Sequence, residues 1–289
     1  MNLRTDLAVE QCEIASDNGI DGIEQCTSRL GKAKITHISI TNESGEKMLK
    51  RKKGEYITVD LPPFSTNADL FTSEMHAVAE QIKSLLPKDG LVLVAGLGNE
   101  QITPDALGPK CASFIFSTRH IGKELQKTIG FESLRPVARI TPGVLGQNGM
   151  ETGEIIAGIA KQVSPVAVIT VDALASRRLA RLGSTVQICN TGISPGSGVG
   201  NSRAEISRET IGVPVISVGV PTVVDATTLV YDLIGEESIS KAEKGSDTMM
   251  VTPREIDLIT ERAAKFIAVA INTALQPKTD AKELFSLIS

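Results

Sequence analysis

The sequence predicts an α/β fold whose central sheet, mainly parallel or mixed, carries helices on both faces, with a small N-terminal β arm or hairpin added. Three observations carry this. From residue 90 onward, apolar runs at 91–95, 166–171, 186–188 and 213–220 alternate with helical segments, the rhythm of strand–helix–strand units. The runs are continuous rather than alternating, as in strands buried on both faces. Aromatic residues make up only 3% and Trp is absent, so the core has to be built from Val, Ile, Leu and Ala.

Taken in order, the first 30 residues are polar and weakly periodic and read as an arm outside the core. Residues 34–40 and 56–61 alternate in character and flank a charged segment, which predicts an antiparallel pair. The short basic run at 50–53 reads as a solvated loop. Phe71, Met75, Val78, Ile82 and Leu85 then follow four-three helical spacing, and Pro87 marks the end. The run 91–95 ends at Gly96 and Gly98, Asn99 can bond locally, and Thr103-Pro104 resembles a helix start, placing Asp105 at a strand's carboxyl end. Glycine-rich loops follow at 142–153 and 192–200, and residues 235–248 read as a mobile polar loop. A last helix is expected from the Thr252-Pro253-Arg254-Glu255 capping box to about Leu275.

With 289 residues and no composition shift that marks a linker, the chain reads as one domain with a sizeable core. A formal charge of −4 and a pI near 5.6 argue against a surface that coats nucleic acid. No apolar run reaches the roughly 18 residues of a membrane span, and the N-terminus has no signal-peptide core. The four cysteines include no CxxC pair, so a reduced, cytoplasmic setting is expected.

Three Asp-Ala pairs are the strongest chemical signal: Asp105-Ala106, Asp172-Ala173 and Asp225-Ala226. In a parallel sheet Asp105 and Asp172 fall on the same edge. Paired carboxylates suit hydrolysis, because a negative neighbour keeps one acid protonated while the other activates water. From pattern alone the reading of these residues as helix caps is the favoured one, and Asp225 is assigned that role. A serine nucleophile in Gly192-Ile193-Ser194-Pro195-Gly196 is disfavoured, because Pro195 has no N–H for an oxyanion and His37, His76 and His120 all precede Ser194. No H-E-x-x-H occurs, so no metal ligand set is assigned and no cofactor is expected. Cys111 and Cys189 read as small buried hydrophobes.

Taken together, Arg4-Thr5-Asp6-Leu7-Ala8-Val9-Glu10, Gly96-Leu97-Gly98-Asn99 with Thr103-Pro104-Asp105-Ala106-Leu107-Gly108-Pro109, Thr118-Arg119-His120, Val171-Asp172-Ala173-Leu174-Ala175, Pro195-Gly196-Ser197-Gly198-Val199-Gly200-Asn201 and Gly219-Val220-Pro221-Thr222-Val223-Val224-Asp225 closely resemble the germination protease family. The match spans nearly the whole chain. The resemblance implies a fold similar to the hydrogenase maturation endopeptidases and an atypical aspartic-type endopeptidase with Asp105 and Asp172 as catalytic residues. It further implies a self-processing zymogen that acts on small acid-soluble spore proteins during germination, in the cytoplasm of the forespore or spore core, as a homotetramer, with no direct nucleic-acid or membrane partner.

The family's preference for an acid, then a hydrophobic residue, then Ala places a processing site at Asp6-Leu7, with Glu13-Ile14 as the alternative. The propeptide is then residues 1–6, or 1–13, and 7–289 form a single peptidase domain. Asn99, Arg119, His120, Gly196, Ser197 and Gly198 are the supporting or substrate-binding candidates, and Arg139 and Arg177 further candidates for positive subsites. Ser194 departs from the family pattern, which carries His before Pro-Gly-Ser-Gly in many members. Two competing readings are a metal-guided maturation peptidase of similar fold and a non-enzymatic α/β binding protein.

Overall fold

A computed structural model describes residues 4–15, 21–128, 131, 133–200, 203–234 and 249–288. The described residues build one nine-stranded mixed sheet. Its strands are β1 (Ile23–Leu30), β2 (Ala33–Ile40), β3 (Gly54–Asp60), β4 (Val92–Gly96), β5 (Val137–Ile140), β6 (Ala167–Ser176), β7 (Thr185–Cys189), β8 (Val215–Asp225) and β9 (Met250–Val251). The order is β1-β2-β3-β7-β8-β6-β4-β5, with β9 pairing β8. Only β5, β4, β6 and β8 run parallel to their neighbours in that order, and the rest of the sheet is antiparallel.

Both faces of the sheet are covered, as the unbroken apolar runs require. Along β4, Val92 and Val94 enter one core while Leu93 and Ala95 enter another on the opposite face. The first core is closed by α3 (Ser73–Leu85), α4 (Leu107–Ser113) and the long α10 (Ile256–Leu275). The second is closed by α7 (Thr152–Val163), through Ile156 and Ala160. The Thr72 side chain caps α3 by accepting the Met75 N–H at 3.2 Å, so Phe71 lies just outside the helix and packs edge-on against Phe285. Among the described residues no helix is long and apolar enough to cross a membrane.

Several sequence expectations are corrected. The N-terminal stretch is not an arm outside the core: Leu7 and Ala8 are fully buried beside Val9, at the start of α1 (Ala8–Ala15), against Ile38, Tyr56, Leu174 and Cys189. Short windows gave no periodicity there because one face of two turns is all that is buried. The charged segment after β2 contains a helix, α2 (Glu43–Leu49), capped by the Asn42 side chain on the Gly45 N–H. The strand β7 is antiparallel to both neighbours, so the second half of the chain is not a uniform parallel series. The last helix starts at Ile256, after a turn at Pro253, rather than at the capping box. The expected loop at 235–248 lies outside the described residues.

One close approach positions the site. After β4 the chain passes through a 3-10 turn, Thr103–Asp105, into α4, whose Gly108 lies against the strand ends. A Cβ on Gly108 would sit 2.2 Å from the Leu97 carbonyl oxygen and 2.4 Å from that of Val171, and one on Gly96 would sit 2.1 Å from the Gly108 oxygen. Neither backbone can retreat without breaking a strand. Gly108→Ala is therefore expected to destabilise the fold by about 1–3 kcal/mol, read as a lowered denaturant midpoint with an unchanged slope.

Candidate active site

Asp105 and Asp172 meet at the carboxyl edge of the parallel part of the sheet. Asp172 belongs to β6, pairs with Gly219 of β8 and is 5% exposed. Val171 is the last β6 residue paired with β4, so Asp172 stands where β4 turns away to make room for a side chain. Asp105 ends the 3-10 turn, which is pinned by hydrogen bonds from the Thr222 hydroxyl to the Pro104 oxygen at 2.7 Å and from the Thr260 hydroxyl to the Thr103 oxygen at 3.3 Å. The Asn99 N–H donates to Asp105 Oδ2 at 2.7 Å. That bond requires the turn at Gly98, where φ is +108° and a Cβ would lie 2.1 Å from the Asp105 carbonyl oxygen.

The two carboxyls are electrostatically unlike. Burial pushes Asp172 well above the ordinary carboxylate range, and the charges of Asp105 and Asp6 push it further, against one amide bond from Ala173 to Oδ1 at 2.9 Å. Burial raises Asp105 too, and its bond from Asn99 offsets part of that rise. Both carboxyls are thus raised, Asp172 the more strongly, because it is the more deeply buried and has two acidic neighbours.

A third carboxyl completes the cluster. Asp6 pairs with β6 through its own N–H, which donates to the Ala175 oxygen at 2.8 Å, while the Ala175 N–H donates to Asp6 Oδ2 at 2.9 Å. The Ser197 hydroxyl donates to Asp6 Oδ1 at 3.0 Å, and the Gly198 amide also bonds this carboxylate. Burial still raises Asp6, with these bonds and the charge of Arg51 opposing it. Asp6 thereby divides two cavities. One, of about 510 Å³, is lined by Asn99, Asp105 and Asp172 with the apolar Ile102, Val144 and Leu145. The other, of about 460 Å³, is lined by Arg4, Arg51, Tyr56 and Gln187.

The remaining candidates sort clearly. Gly196, Ser197 and Gly198 lie on the wall that both aspartates face. Asn99 supports Asp105 through its N–H and accepts from Gln147 Nε2 at 2.8 Å. Arg119 and His120 are exposed in a turn whose Arg119 N–H bonds Val137, at the far end of β5 from the site, so they do not join it. The helix α4 that follows Asp105 ends at Ser113, so neither residue lies on it. Arg139 donates to the Ala112 and Ser113 carbonyls and closes the end of α4. Arg177 pairs with Asp232 at 2.8 Å and covers the Tyr231 ring. Asp225 accepts from the Thr228 N–H at 2.8 Å as a helix cap and pairs with Arg4 at 3.2 Å. Ser194 lines both cavities. Cys111 and Cys189 are buried. Among the described residues no three His, Cys, Asp or Glu side chains are arranged to hold a metal ion.

Sequence reasoning missed Gln187 and the anchoring role of Glu10. Gln187 Nε2 donates to the Asp6 carbonyl and its Oε1 accepts from the Ala8 N–H, each at 2.9 Å. Glu10 is fully buried, accepts from the Arg177 and Arg178 amides at 2.6 and 3.0 Å, and bonds the Thr5 hydroxyl. Alternation along residues 185–189 would have flagged Gln187 as a polar side chain on a buried strand. Glu10→Ala is expected to weaken docking of residues 5–15 by about 1–3 kcal/mol, the worth of hydrogen bonds to a charged group. Hydrogen exchange of the α1 amides reads this directly.

Known proteins complete the description. A family model described as germination protease matches residues 4–236. A germination protease of Clostridium acetobutylicum is 42% identical, over 98% of this chain and 98% of its own. One from Caldanaerobacter subterraneus is 43% identical, over 100% of this chain and 98% of its own. Among solved structures, the NiFe hydrogenase maturation protease HycI from Thermococcus kodakarensis aligns with 66% of this chain and 98% of its own, at a TM-score of 0.38 and 18% identity.

Proposed function

The chain belongs to the germination protease family, and from that premise we propose that it is an aspartic-type endopeptidase, made as a self-processing zymogen, that cuts small acid-soluble spore proteins after Glu or Asp. In this reading the cut precedes a hydrophobic residue followed by Ala, and the enzyme works as a homotetramer in the spore core. The observation that carries the reading is the pairing at one sheet edge of two carboxyls that burial raises unequally, with the chain's own Asp6 lining the same cavity.

The chemistry follows from that asymmetry. Ionised Asp105, oriented by the Asn99 amide, takes a proton from water as the water attacks the carbonyl carbon. Asp172 accepts the Ala173 amide on Oδ1, so its proton is on Oδ2, free to polarise the carbonyl oxygen. Collapse of the tetrahedral intermediate breaks the C–N bond, and Asp105 passes the proton it took from water to the leaving amine, which restores both carboxyls to their starting states. Processing at Asp6-Leu7 frees residues 1–6 and leaves Leu7 buried; processing at Glu13-Ile14 would also release the buried Leu7–Glu10 stretch. The deeper burial of that stretch favours the first site.

Asp105→Asn and Asp172→Asn are each expected to fold and to abolish both self-processing and cleavage of a spore-protein peptide. Near-normal turnover by either variant would falsify the dyad. Asp172 also carries a stability signature. Its folded pKa is raised, so the stability it contributes is present at low pH and lost as pH rises through the raised value. Asp172→Asn is therefore expected to melt higher than the wild type at neutral pH while being inactive, with the difference closing toward acid.

Activity is expected to follow a bell whose two limbs both lie above the ordinary Asp value of 3.8, Asp105 setting the acid limb and Asp172 the alkaline one. A kcat profile against pH checks this. N-terminal sequencing of the incubated chain identifies the processing site through a new terminus at Leu7 or Ile14.

A further inference from the structure

The Asp6 side chain occupies a recess that is built for a carboxylate. Three donors converge on it: the Ala175 N–H, the Ser197 hydroxyl and the Gly198 N–H. The recess has its depth because residue 198 has no side chain, since a Cβ there would lie 2.0 Å from Asp6 Oδ2. The flanking Gly196 and Gly200 both adopt φ of +74°, which curls the loop so that its amides point inward. Resting on the proposed reading of a peptidase that cuts after an acid, we propose that this recess is the subsite that receives the acidic side chain before the cut. Gln187 sets the register of the chain across it.

Two features distinguish recognition from simple anchoring. The donors are main-chain amides and a hydroxyl rather than an arginine, so the recess selects an acceptor at both oxygens. An Asn side chain has only one acceptor oxygen for these donors. With that oxygen on the Ala175 N–H its NH2 meets the Ser197 hydroxyl, which must turn round to accept, and in the flipped orientation the NH2 faces the Ala175 N–H. Gln187 meanwhile bonds the peptide on both sides of Leu7, to the Asp6 carbonyl and to the Ala8 N–H. A side chain that reads backbone two residues apart fixes which residue enters the recess, while the apolar core around Leu7 selects the residue after it. The recess opens on the same cavity that Asp105 and Asp172 line, so an acid placed there lies next to the dyad.

The test uses the full-length chain, allowed to process itself, and a peptide of its own residues 4–11 beside the same peptide with Asn in place of Asp6. The wild type is expected to prefer the Asp peptide strongly. Ser197 is an exposed loop residue, so Ser197→Ala should fold normally and reduce the Asp-over-Asn preference by about ten-fold, the cost of one hydrogen bond to a charged group. Gln187→Met removes both polar atoms at similar volume. It should slow cleavage of both peptides alike and leave the preference intact, with a thermal melt confirming the fold. Retention of the full preference in Ser197→Ala overturns the assignment alone. Failure of the wild type to cut either peptide overturns the peptidase reading and the assignment with it.

Discussion

Three carboxyl groups share one partly buried corner of this molecule, and the cost of burying them together is the constraint on which the rest depends. Asp172 is shifted upward by burial, by Asp105 and by Asp6, against a single amide bond. Such a cluster persists only where the surrounding backbone leaves no alternative. Here the constraint comes from the sheet edge, where β6 continues past the end of β4, and from α4, whose Gly108 touches both strands. The large buried core behind the edge, built from α3, α4 and α10, supplies the stability that the cluster consumes.

The N-terminal segment is held by polar contacts at both ends and an apolar one between them. Asp6 and Glu10 accept backbone amides from the same strand and its continuation, at Ala175 and at Arg177 and Arg178. Leu7, Ala8 and Val9 enter a core between them. The pattern acid, aliphatic, Ala is thus read by burial and by hydrogen bonding together, and neither alone would fix the register.

Much of this was legible in the sequence, and the limits were physical. The apolar runs gave β4, β6, β7 and β8 because doubly covered strands leave no polar face, and the glycine turn after β4 located Asp105. Partner direction could not be read, since β7 has the same composition whether it runs with or against β8. The strand β5 and helix α1 were missed because four residues, or two turns, carry too little periodicity. Arg119 and His120 lie away from the expected site because α4 is only seven residues long and the chain then doubles back to the other end of the sheet. Gln187 was missed because its role depends on a segment 181 residues away in sequence.

The position of Asp6 also explains why the glycine-rich loop at 196–200 has its shape. A loop that bound a phosphate or the backbone of any peptide would need its amides exposed over a broad surface. This one directs the Gly198 amide and the Ser197 hydroxyl onto a single carboxylate, and the absence of a side chain at 198 makes the room. Arg4 lies against Gly200 and pairs with Asp225, so residues 4 and 6 fill one continuous trough. The two cavities on either side share Asp6, Leu174, Ile193, Ser194, Ser197 and Gly198 as their common wall. Of these, Asp6 alone belongs to the segment that cleavage at Asp6-Leu7 would free. On the proposed processing, its departure would join the cavities into one cleft that runs past Asp105 and Asp172.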